Sequence, residues 1–543
     1  MSGKKESMPL VSTAAMQLAV KNIASFGDTD IFPFPTENHL FFDKPEDVCK
    51  VLSQVDSDFD DAVSKIPILT SKNLSVVGYS GFRYGTQIDP LWNAYLLSLV
   101  VSIASDLEAR RVSPNIVFSY RYDPNFTTGA LFNKAIGWGE FQSAAVAHAK
   151  THPYILRCDI SDFYPRIYHH RLENALKSAT ANTEIPQRIM KILGGISEGP
   201  SYGLPVGGPA ARLLSEILLN RVDRLLASEE IKYCRFVDDY VIFAENREKA
   251  HSGLILLSNF LLANEGLSLQ KSKTRVLTSA EFLATSEFSE DHVDESAPER
   301  EARTFRRLRV HYDPYSPTAE ADYEKLAAEL KKFDIIGMLG RELAKSRVDE
   351  GLARQLIAAV KHLPPVTQNE AVLSMLKSID LLYPIFPSVM QLCRGILEAL
   401  DGSVKEIIFT TLRKLIAGHS YITQVPTNLA YALRVLVFDT SEETDTLLAQ
   451  LHKQTSSMML KRDIILMMAH RGSDYWISNC RISFSTLTGW ERRAMLIGSY
   501  ILGDEGDHWR KSIKKDQNDF DQLIMKWIGE AKSKKGAGWR VPI

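Results

Sequence analysis

The stretch KYCRFVDDYVIFAEN at residues 232–246 places two adjacent aspartates between two short apolar runs. The runs YCRFV and YVIFA are rich in β-branched and aromatic residues, which favour strands, and Asp favours turns. The pattern therefore predicts a β-hairpin with Asp238 and Asp239 at its turn. A solvated turn is the alternative, but two carboxylates held against an apolar sheet repel each other unless a cation lies between them. We therefore expect a divalent metal at this turn.

Another carboxylate ends an apolar run in YILRCDISDFYPRIYHHRLENAL, residues 154–176. The run YILRC predicts a strand, Asp159 follows at its end, and a helix is expected from about His169. A carboxylate at a strand end can bind a hard cation through oxygen, while Asp162 is expected to cap the turn that follows. Capping alone is the alternative for both aspartates, because Asp is a common turn residue.

A loop rich in glycine and proline lies between these segments, in SYGLPVGGPAARLLSEILLNRVDRLLASEE at 201–230. Gly207 lets the backbone approach a ligand closely, and Pro205 restricts the same loop. Pro209 suits the first position of a helix. The apolar stripe of that helix consists of Leu213, Leu214, Ile217, Leu218, Val222 and Leu225. A plain turn is the alternative interpretation of the loop.

Composition indicates an ordinary folded protein of roughly two to four domains. The 543 residues are 45% hydrophobic and 24% charged, and the net charge of −2 creates no global basic field, so nucleic-acid binding would depend on local clusters. The cysteines are odd in number and far apart, which favours reduced core thiols over disulfides or zinc. They are Cys49, Cys158, Cys234, Cys393 and Cys480. No stretch approaches the ~18 apolar residues of a membrane span, so we expect a cytoplasmic protein without membrane contact.

The chain divides by pattern into four segments. Residues 1–74 form a partly helical N-terminal extension, 75–283 mix strands with helices, and 284–318 form a polar, charged connector. Residues 319–543 repeat helical periods, as in EGLARQLIAAVKHL, without a strict consensus. Short turns between helices of about ten to fifteen residues favour an all-α domain resembling HEAT repeats. An irregular helical bundle is the alternative.

In this order, DISDFYP, GLPVGGP and FVDD resemble motifs A, B and C of the reverse-transcriptase palm. The resemblance implies an α/β right-hand polymerase with palm and fingers, followed by the helical-repeat domain. It implies that Asp159 and Asp238 ligate two Mg²⁺ ions, with Mn²⁺ as an alternative, and that Asp239 is a supporting third carboxylate. The resemblance also places Ile160 among the metal-site residues. One ion would activate the primer hydroxyl, and the other would hold the incoming triphosphate.

The same resemblance assigns further candidates. The segment GLSLQKSKTRVL at 266–277 is similar to motif D, so Lys273, or otherwise Lys271, is the candidate for protonating the leaving pyrophosphate. Arginine offers a planar fork for phosphate oxygens, and the glycine loop can approach the nucleotide. The predicted substrate-binding residues of these kinds are Arg121, Arg83, Gly207 and Pro205.

Tyr164 is the candidate for selecting the sugar. RNA-dependent RNA polymerases commonly carry Asp at the position of motif A that faces the ribose, and the corresponding residue here is aromatic. A ring under the sugar leaves no room for a 2′-hydroxyl and offers it no good hydrogen bond, so we expect a preference for dNTPs. Packing of Tyr164 in the turn before Pro165 is the alternative.

Together with SYRYDP and the helical C-terminal half, these motifs resemble the bacterial abortive-infection and defence-associated reverse transcriptases. The resemblance implies an RNA-directed DNA polymerase in anti-phage defence, with an RNA template or partner noncoding RNA, a DNA product and, in some members, protein-primed or untemplated synthesis. A homo-oligomer is expected. Val206 replaces the usual Gln of the LPQG box, which puts template-directed fidelity in doubt, and Phe236 replaces the Tyr of the YxDD box.

Two other functions stay open from the sequence. A retron-type reverse transcriptase shares the palm motifs, although such enzymes are generally shorter and lack the helical half. A catalytically silent scaffold that binds RNA or protein would keep the fold, but the presence of all three aspartates, Asp159, Asp238 and Asp239, favours an enzyme.

Overall fold

The computed structural model describes residues 9–286, 296–308, 326 and 328–543. The first part of the chain contains helices α1 (Thr13–Phe26), α2 (Glu37–Asp43), α3 (Pro45–Ser57) and α4 (Phe59–Lys65), strands β1 (Thr70–Val77) and β2 (Gly81–Ile88), and the long helix α5 (Pro90–Arg110). Strands β3 (Tyr122–Asn125) and β4 (Ala130–Phe132) and helix α6 (Trp138–Ala149) follow.

The central part contains the elements around the three aspartates. In chain order they are β5 (Tyr154–Asp159), α7 (Phe163–Arg166), α8 (His169–Ala179), α9 (Glu184–Ser197), α10 (Pro209–Ser228), β6 (Lys232–Phe236), β7 (Asp239–Ala244) and α11 (Arg247–Phe260). A π-helix (Leu261–Glu265), strand β8 (Arg275–Thr278) and helix α12 (Ser279–Thr285) complete it.

The remaining part is helical in the described residues. Its helices are α13 (Ala297–Arg306), α14 (Ile335–Leu343), α15 (Glu350–Val360), α16 (Pro365–Lys377), α17 (Phe386–Ile396), α18 (Gly402–Ala417), α19 (Tyr421–Gln424), α20 (Pro426–Leu436), α21 (Glu442–Gln454), α22 (Met458–His470), α23 (Asp474–Ile482), α24 (Gly489–Gly498), α25 (Gly503–Ile513) and α26 (Asp519–Lys535). Short 3₁₀ helices lie at Tyr383–Ile385, Leu397–Ala399, Phe484–Thr486, Ser499–Leu502, Lys514–Asp516 and Gly536–Gly538.

The chain forms two compact units. The first, called here the palm unit, comprises the described residues within Met1–Thr29, Phe41–Thr70 and Ile88–Asp294. The second, called here the helical unit, comprises those within Asp30–Leu40, Ser71–Gln87 and Glu295–Ile543. This division differs from the sequence-based segments, because two N-terminal stretches pack with the C-terminal helices.

The palm unit is built on a four-stranded antiparallel sheet with strand order β6-β7-β5-β8. Helix α11 packs on β5 and β7, and α6 packs on β6 and β7. Buried apolar side chains of α6, β5, β7 and α12 form one core cluster that includes Phe141, Ile155, Val241 and Phe282. The predicted strand and hairpin are both present, and the register of β5 and β7 places Asp159 directly opposite Asp239.

Helix α5 is the main core helix of the palm unit. Asp89 caps its N-terminus by accepting a hydrogen bond from the backbone N–H of Leu91, and Pro90 occupies the first helical position. Its length and apolar composition would suffice to cross a membrane, but 83% of its most apolar window is buried inside the protein. The helix packs on α1, α9 and α10, so its apolar residues are buried in the core of the palm unit.

The helical unit stacks its helices in series. Helix α14 packs on α15 and α16, α18 on α20, α20 on α22, α22 on α24 and α24 on α26. Contact between each helix and those one or two positions further along is typical of helical arrays. The HEAT-like character of the array stays a prediction. Much of the predicted connector at 284–318 lies outside the described residues, and its described part contains α13 in the helical unit.

The N-terminal stretches of the helical unit are held by specific bonds to its helices. The Arg434 guanidinium donates to the carbonyl oxygen of Phe34 at 3.0 Å, and Arg493 forms a buried ion pair with Glu37 at 3.2 Å. In the β1–β2 hairpin, the Ser457 hydroxyl donates to Oδ1 of Asn73 at 2.7 Å. These bonds join residues several hundred positions apart in the chain, so local pattern could not predict them.

We expect a truncated chain ending at residue 318 to be poorly soluble. It would retain the stretches Asp30–Leu40 and Ser71–Gln87 but lose the helices that cover them. Phe32, only 1% exposed in the intact protein, would face water, and Glu37 would lose its buried partner Arg493. The soluble fraction and the elution profile on size exclusion measure this, and a monodisperse fragment with cooperative unfolding would contradict it.

Candidate active site

Three carboxylates meet at one end of the palm sheet. Asp159 ends β5 and Asp239 begins the neighbouring β7, while Asp238 lies in the tight turn between β6 and β7. One carboxylate oxygen from each of the three lies within 4.8 Å of the others. The backbone N–H of Ile160 donates to the carbonyl oxygen of Asp238 at 3.1 Å, which fixes the end of β5 against the turn. The antiparallel pairing thus brings together residues that are far apart in sequence.

The turn that carries Asp238 is strained. Val237 has φ of 54°, a left-handed conformation that costs a non-glycine residue roughly 1–2 kcal/mol, and branching at Cβ makes this worse. The carbonyl oxygen of Val237 accepts a hydrogen bond of 2.8 Å from the guanidinium of Arg235. This bond to a buried cation holds the turn in its strained form and so fixes the direction of the Asp238 side chain.

Arg235 itself is fully buried beneath the turn. Its guanidinium pairs with Glu216 at 2.9 Å and Asp223 at 2.6 Å, both on α10. Arg111 pairs with Glu216 at 2.6 Å, so the charges are matched within the cluster. Sequence reasoning missed this network, although an arginine inside the apolar run YCRFV was a usable signal, since a charge in a core strand requires a buried partner.

Burial and mutual repulsion oppose ionisation of the carboxyl groups in this site. Burial, then the charges of Asp159 and Asp239, raise the pKa of Asp238 to about 7. Burial and the charge of Asp159 raise the pKa of Asp239 to about 6. A bound divalent cation would remove this repulsion, and oxygen ligands are those that hard cations prefer. The three residues therefore fit a divalent metal site.

Affinity for Mg²⁺ should rise with pH across this range. A raised pKa means that Asp238 and Asp239 retain protons up to about pH 7 and 6, and a proton competes with a cation for the same oxygens. Apparent affinity should tighten about tenfold or more from pH 6 to 8 and then level off. Mg²⁺ titrations followed by thermal shift measure it. In Asp238→Asn the dependence should shrink, whereas a flat wild-type profile would contradict the assignment.

Lys273 reaches the carboxylates from the segment before β8. Its Nζ lies 2.8 Å from Oδ2 of Asp159, and the hydrogen bond to Asp159 is the main cause that raises the pKa of the lysine. The backbone N–H of Gln270 donates to the carbonyl oxygen of Asp159 at 2.7 Å, which ties this segment to β5. The structure thus brings together Lys273 and the three aspartates, while Lys271 is exposed.

Arg157 is a site neighbour that sequence reasoning did not single out. It precedes Asp159 by two positions on β5, and its charge lowers the pKa of Asp239 in opposition to burial and Asp159. Arg157 and Asp239 line a cavity of about 260 Å³, with Trp138 and Phe141 of α6. The alternation of side chains along a strand was the signal, since residues two apart share a face.

The glycine loop is bonded to the turn after Asp159. The backbone N–H of Leu204 donates to the carbonyl oxygen of Tyr164 at 2.9 Å, and that of Gly203 donates to the carbonyl oxygen of Ile167 at 2.8 Å. Gly203 and Gly207 have φ of 94° and 102°, which other residues rarely adopt. The loop with Pro205 and Gly207 therefore has a defined position next to α7.

Tyr164 lies half-buried on α7. Its hydroxyl accepts a hydrogen bond of 3.3 Å from Ser215 on α10, and burial raises its pKa far above the usual range. Its ring packs edge-on against Phe163 at 5.3 Å between centroids. Both the ring and the hydroxyl are therefore positioned by neighbours, and Ser215 is a contact that sequence reasoning missed.

Of the two predicted phosphate-binding arginines, Arg121 is not part of this cluster. Arg121 is only 7% exposed, pairs with Glu108 at 2.5 Å and donates to the carbonyl oxygen of Val112 at 2.9 Å. These bonds make it a buried structural cation rather than a free phosphate ligand. The prediction was made without knowledge of these partners, which local sequence does not reveal. Arg83 lies exposed on β2, in the helical unit.

All five cysteines lie in the described part of the chain as free thiols. Four are buried and Cys480 is half-buried. Burial raises the pKa of Cys158 and Cys234 to about 12, so both stay protonated and unreactive at neutral pH.

A family model described as reverse transcriptase (RNA-dependent DNA polymerase) matches residues 109–304. This range contains Asp159, Asp238, Asp239 and Lys273. The protein carries a reverse transcriptase domain. This domain indicates a nucleotidyltransferase, an RNA-directed DNA polymerase; domains of this kind bind nucleic acid and generally use divalent metal ions.

Solved structures of telomerases are distantly similar to this chain. Apo telomerase from Candida tropicalis is 12% identical with a TM-score of 0.30, and the match covers 70% of this chain and 74% of that one. Telomerase from Candida albicans, in complex with a TWJ fragment of telomeric RNA, is 11% identical with a TM-score of 0.29, and the match covers 67% and 66%. No curated protein sequence matches the chain. The assignment therefore rests on the family model and the site.

Proposed function

We propose that the reverse transcriptase adds dNTPs to a primer by a two-metal mechanism at Asp159, Asp238 and Asp239. The observation that carries this proposal is the meeting of the three carboxylates within 4.8 Å at the end of the palm sheet, inside the matched domain. Two Mg²⁺ ions, or Mn²⁺ in their place, would supply Lewis acidity to the attacking hydroxyl and to the triphosphate. The backbone carbonyl of Ile160 is the further oxygen donor proposed for this centre.

The chain's own residues have separate tasks in this proposal. Asp159 and Asp238 present carboxylate oxygens from two elements that the sheet holds in register, and Asp239 adds negative charge beside them. Arg235 positions the turn through the carbonyl oxygen of Val237. The loop with Pro205 and Gly207 confines the nucleotide next to Tyr164. Lys273 holds a proton close to the reacting phosphates and donates it to the leaving pyrophosphate.

Replacing Lys273 with Leu should slow incorporation about a hundredfold, because a general acid typically contributes 10²- to 10⁴-fold. Lys271→Leu is the matched control, since Lys271 is an exposed lysine of the same segment and should retain the wild-type rate. Single-turnover incorporation as a function of pH measures the effect. The wild-type rate should fall at the alkaline pH where Lys273 loses its proton, and this fall should be absent from Lys273→Leu. Equal rates for the two variants would contradict the role of Lys273.

The biological setting is also part of the proposal. The motifs and helical half that resemble defence-associated enzymes support a role in anti-phage defence, with an RNA template or noncoding RNA, or with untemplated, protein-primed synthesis. A homo-oligomer and a cytoplasmic location belong to the same proposal. A retron-type enzyme and a silent scaffold are the competing functions, and the three intact carboxylates count against the scaffold.

Purified protein incubated with Mg²⁺, labelled dNTPs and defined templates tests the proposal. Incorporation that follows the template sequence supports templated reverse transcription, and incorporation with no added nucleic acid supports untemplated synthesis. RNA that copurifies with the protein, once sequenced, identifies a resident template. Absence of incorporation under every condition would favour the scaffold and overturn the proposed polymerase activity.

A further inference from the structure

The palm unit contains a second cavity, of about 560 Å³, between the C-terminal half of α10, helix α8 and the end of the π-helix. This volume lies within the range of roughly 300–1,000 Å³ that is usual for small-molecule sites. Ile217, Leu218 and Leu225 supply an apolar lining. None of the residues that line the cavity belongs to the carboxylate site. The cavity is basic, and its arginines are Arg110, Arg171, Arg221 and Arg224.

These arginines are available to a ligand. Across the described residues, no hydrogen bond or ion pair involves any of the four guanidinium groups. Carboxylates in neighbouring positions are already paired, as Glu108 is with Arg111 at 3.2 Å and Glu173 with Lys177 at 2.7 Å. Glu265 is the single carboxylate among the lining residues; burial raises its pKa to about 7, and the charges of Arg221 and Arg171 oppose this rise. The cavity therefore carries an excess of positive charge, which suits a phosphate-bearing ligand.

One carboxyl of the same cavity lacks a hydrogen-bond donor. Glu265 is only 5% exposed, and its side chain forms no hydrogen bond within the described residues. Its carboxyl offers acceptor oxygens in the same cavity as the arginines, so the cavity suits a ligand that carries N–H groups as well as phosphate.

We propose that this cavity binds a nucleotide, with its phosphates on the arginines and its base donating to Glu265. Guanine fits best, because its ring N–H and adjacent amino group form two donors on one edge, which match a carboxylate. The ligand is either a free guanine nucleotide or an unpaired guanosine of bound RNA. Such a site lies outside the polymerase centre, and it does not depend on the two-metal mechanism.

Fluorescence anisotropy of two probes tests the proposal: mant-GTP, and a fluorescein-labelled RNA of alternating uridine and guanosine. Both are titrated with full-length Asp238→Asn protein in EDTA, so neither catalysis nor a metal-dependent nucleotide site contributes. Arg221→Glu should weaken binding about tenfold or more, because a charge-assisted contact becomes a repulsion. Arg247→Glu is the matched control, since Arg247 is an exposed arginine on α11 of the same unit and should leave binding unchanged.

The two probes separate the two sources of the ligand. A loss confined to mant-GTP supports a free nucleotide, and a loss confined to RNA supports an unpaired guanosine. Unchanged binding of both probes in Arg221→Glu, or an equal loss in Arg247→Glu, would overturn the proposal. Because no probe depends on catalysis, failure of the polymerase activity would leave these results intact.

Photocrosslinking gives a readout that needs no substitution at the arginines. Irradiated 8-azido-GTP should label peptides of α8 and of the C-terminal half of α10, and labelling restricted to peptides that contain Asp159 or Asp238 would overturn the site.

Glu265→Gln provides a second variant with an uncharged side chain of the same size. It should reduce the preference for mant-GTP over mant-ATP about tenfold, and an unchanged preference would refute the contact to the base.

Discussion

Asp238→Asn should lower dNTP incorporation by about a thousandfold or more while the protein stays folded. The change is nearly isosteric, but it removes one of three charges that would hold the cations on which the chemistry depends. Steady-state incorporation at saturating Mg²⁺ measures the loss. Because burial and neighbouring charges disfavour ionised Asp238, the variant should be at least as stable as the wild type in EDTA above pH 7.

The sign of this stability effect follows from the raised pKa of Asp238. A carboxyl with a folded-state pKa of about 7 binds more protons in the folded than in the unfolded state between about pH 4 and 7. The free energy of unfolding therefore falls as pH rises through this window, and Asn removes that decline. Thermal unfolding in EDTA across the window checks it, and a variant that melts well below the wild type at pH 8 would contradict it.

Asp162→Asn is the control for the catalytic loss. Asp162 lies three positions after Asp159, its side chain is 64% exposed, and it has φ of 48°, a conformation that Asn also tolerates. This variant should retain most of the activity because Asp162 does not belong to the carboxylate cluster. Near-normal rates in Asp238→Asn, or equal losses in both variants, would contradict the assignment of the metal site.

Tyr164→Ala should let ribonucleotides into the site. Removal of the ring opens space where the sugar is expected to lie, so the ratio of dNTP to rNTP incorporation should fall about tenfold to a hundredfold. The overall rate should also decrease, because the sugar is less well positioned. The ratio of kcat/KM values for dGTP and rGTP measures this selectivity in the wild type and the variant.

Tyr164→Phe separates the ring from the hydroxyl. It removes the hydrogen bond from Ser215 but keeps the aromatic ring against Phe163. Selectivity should stay close to that of the wild type, with at most a modest loss of rate. A wild type that prefers rNTPs, or an unchanged dNTP to rNTP ratio in Tyr164→Ala, would contradict the steric role of Tyr164. The remaining interpretation would be that Tyr164 only packs in the turn before Pro165.

Local pattern was sufficient for the parts of the site that depend on short-range chemistry. Alternating β-branched and aromatic residues around Asp238 and Asp239 predicted the hairpin, and the apolar run before Asp159 predicted its strand. The loop before Pro209 was predicted from glycine and proline, which restrict the backbone at their own positions. These features arise from residues within a few positions of one another, so sequence alone determined them.

Tertiary structure decided which charges are free. Arg121 has the same side chain as Arg221, yet the first is buried in an ion pair with Glu108, whereas the second lines a cavity and forms no ion pair within the described residues. Lys273 reaches Asp159 because β5 and β8 pair, and Arg235 meets Glu216 because α10 packs beneath the sheet. Burial and pairing of a charge depend on which distant residues the fold places beside it. For that reason the sequence determined the elements that carry the carboxylates. The tertiary structure alone determined the buried Arg235 network and the Lys273 contact that support these carboxylates, and it alone formed the basic cavity lined by four arginines.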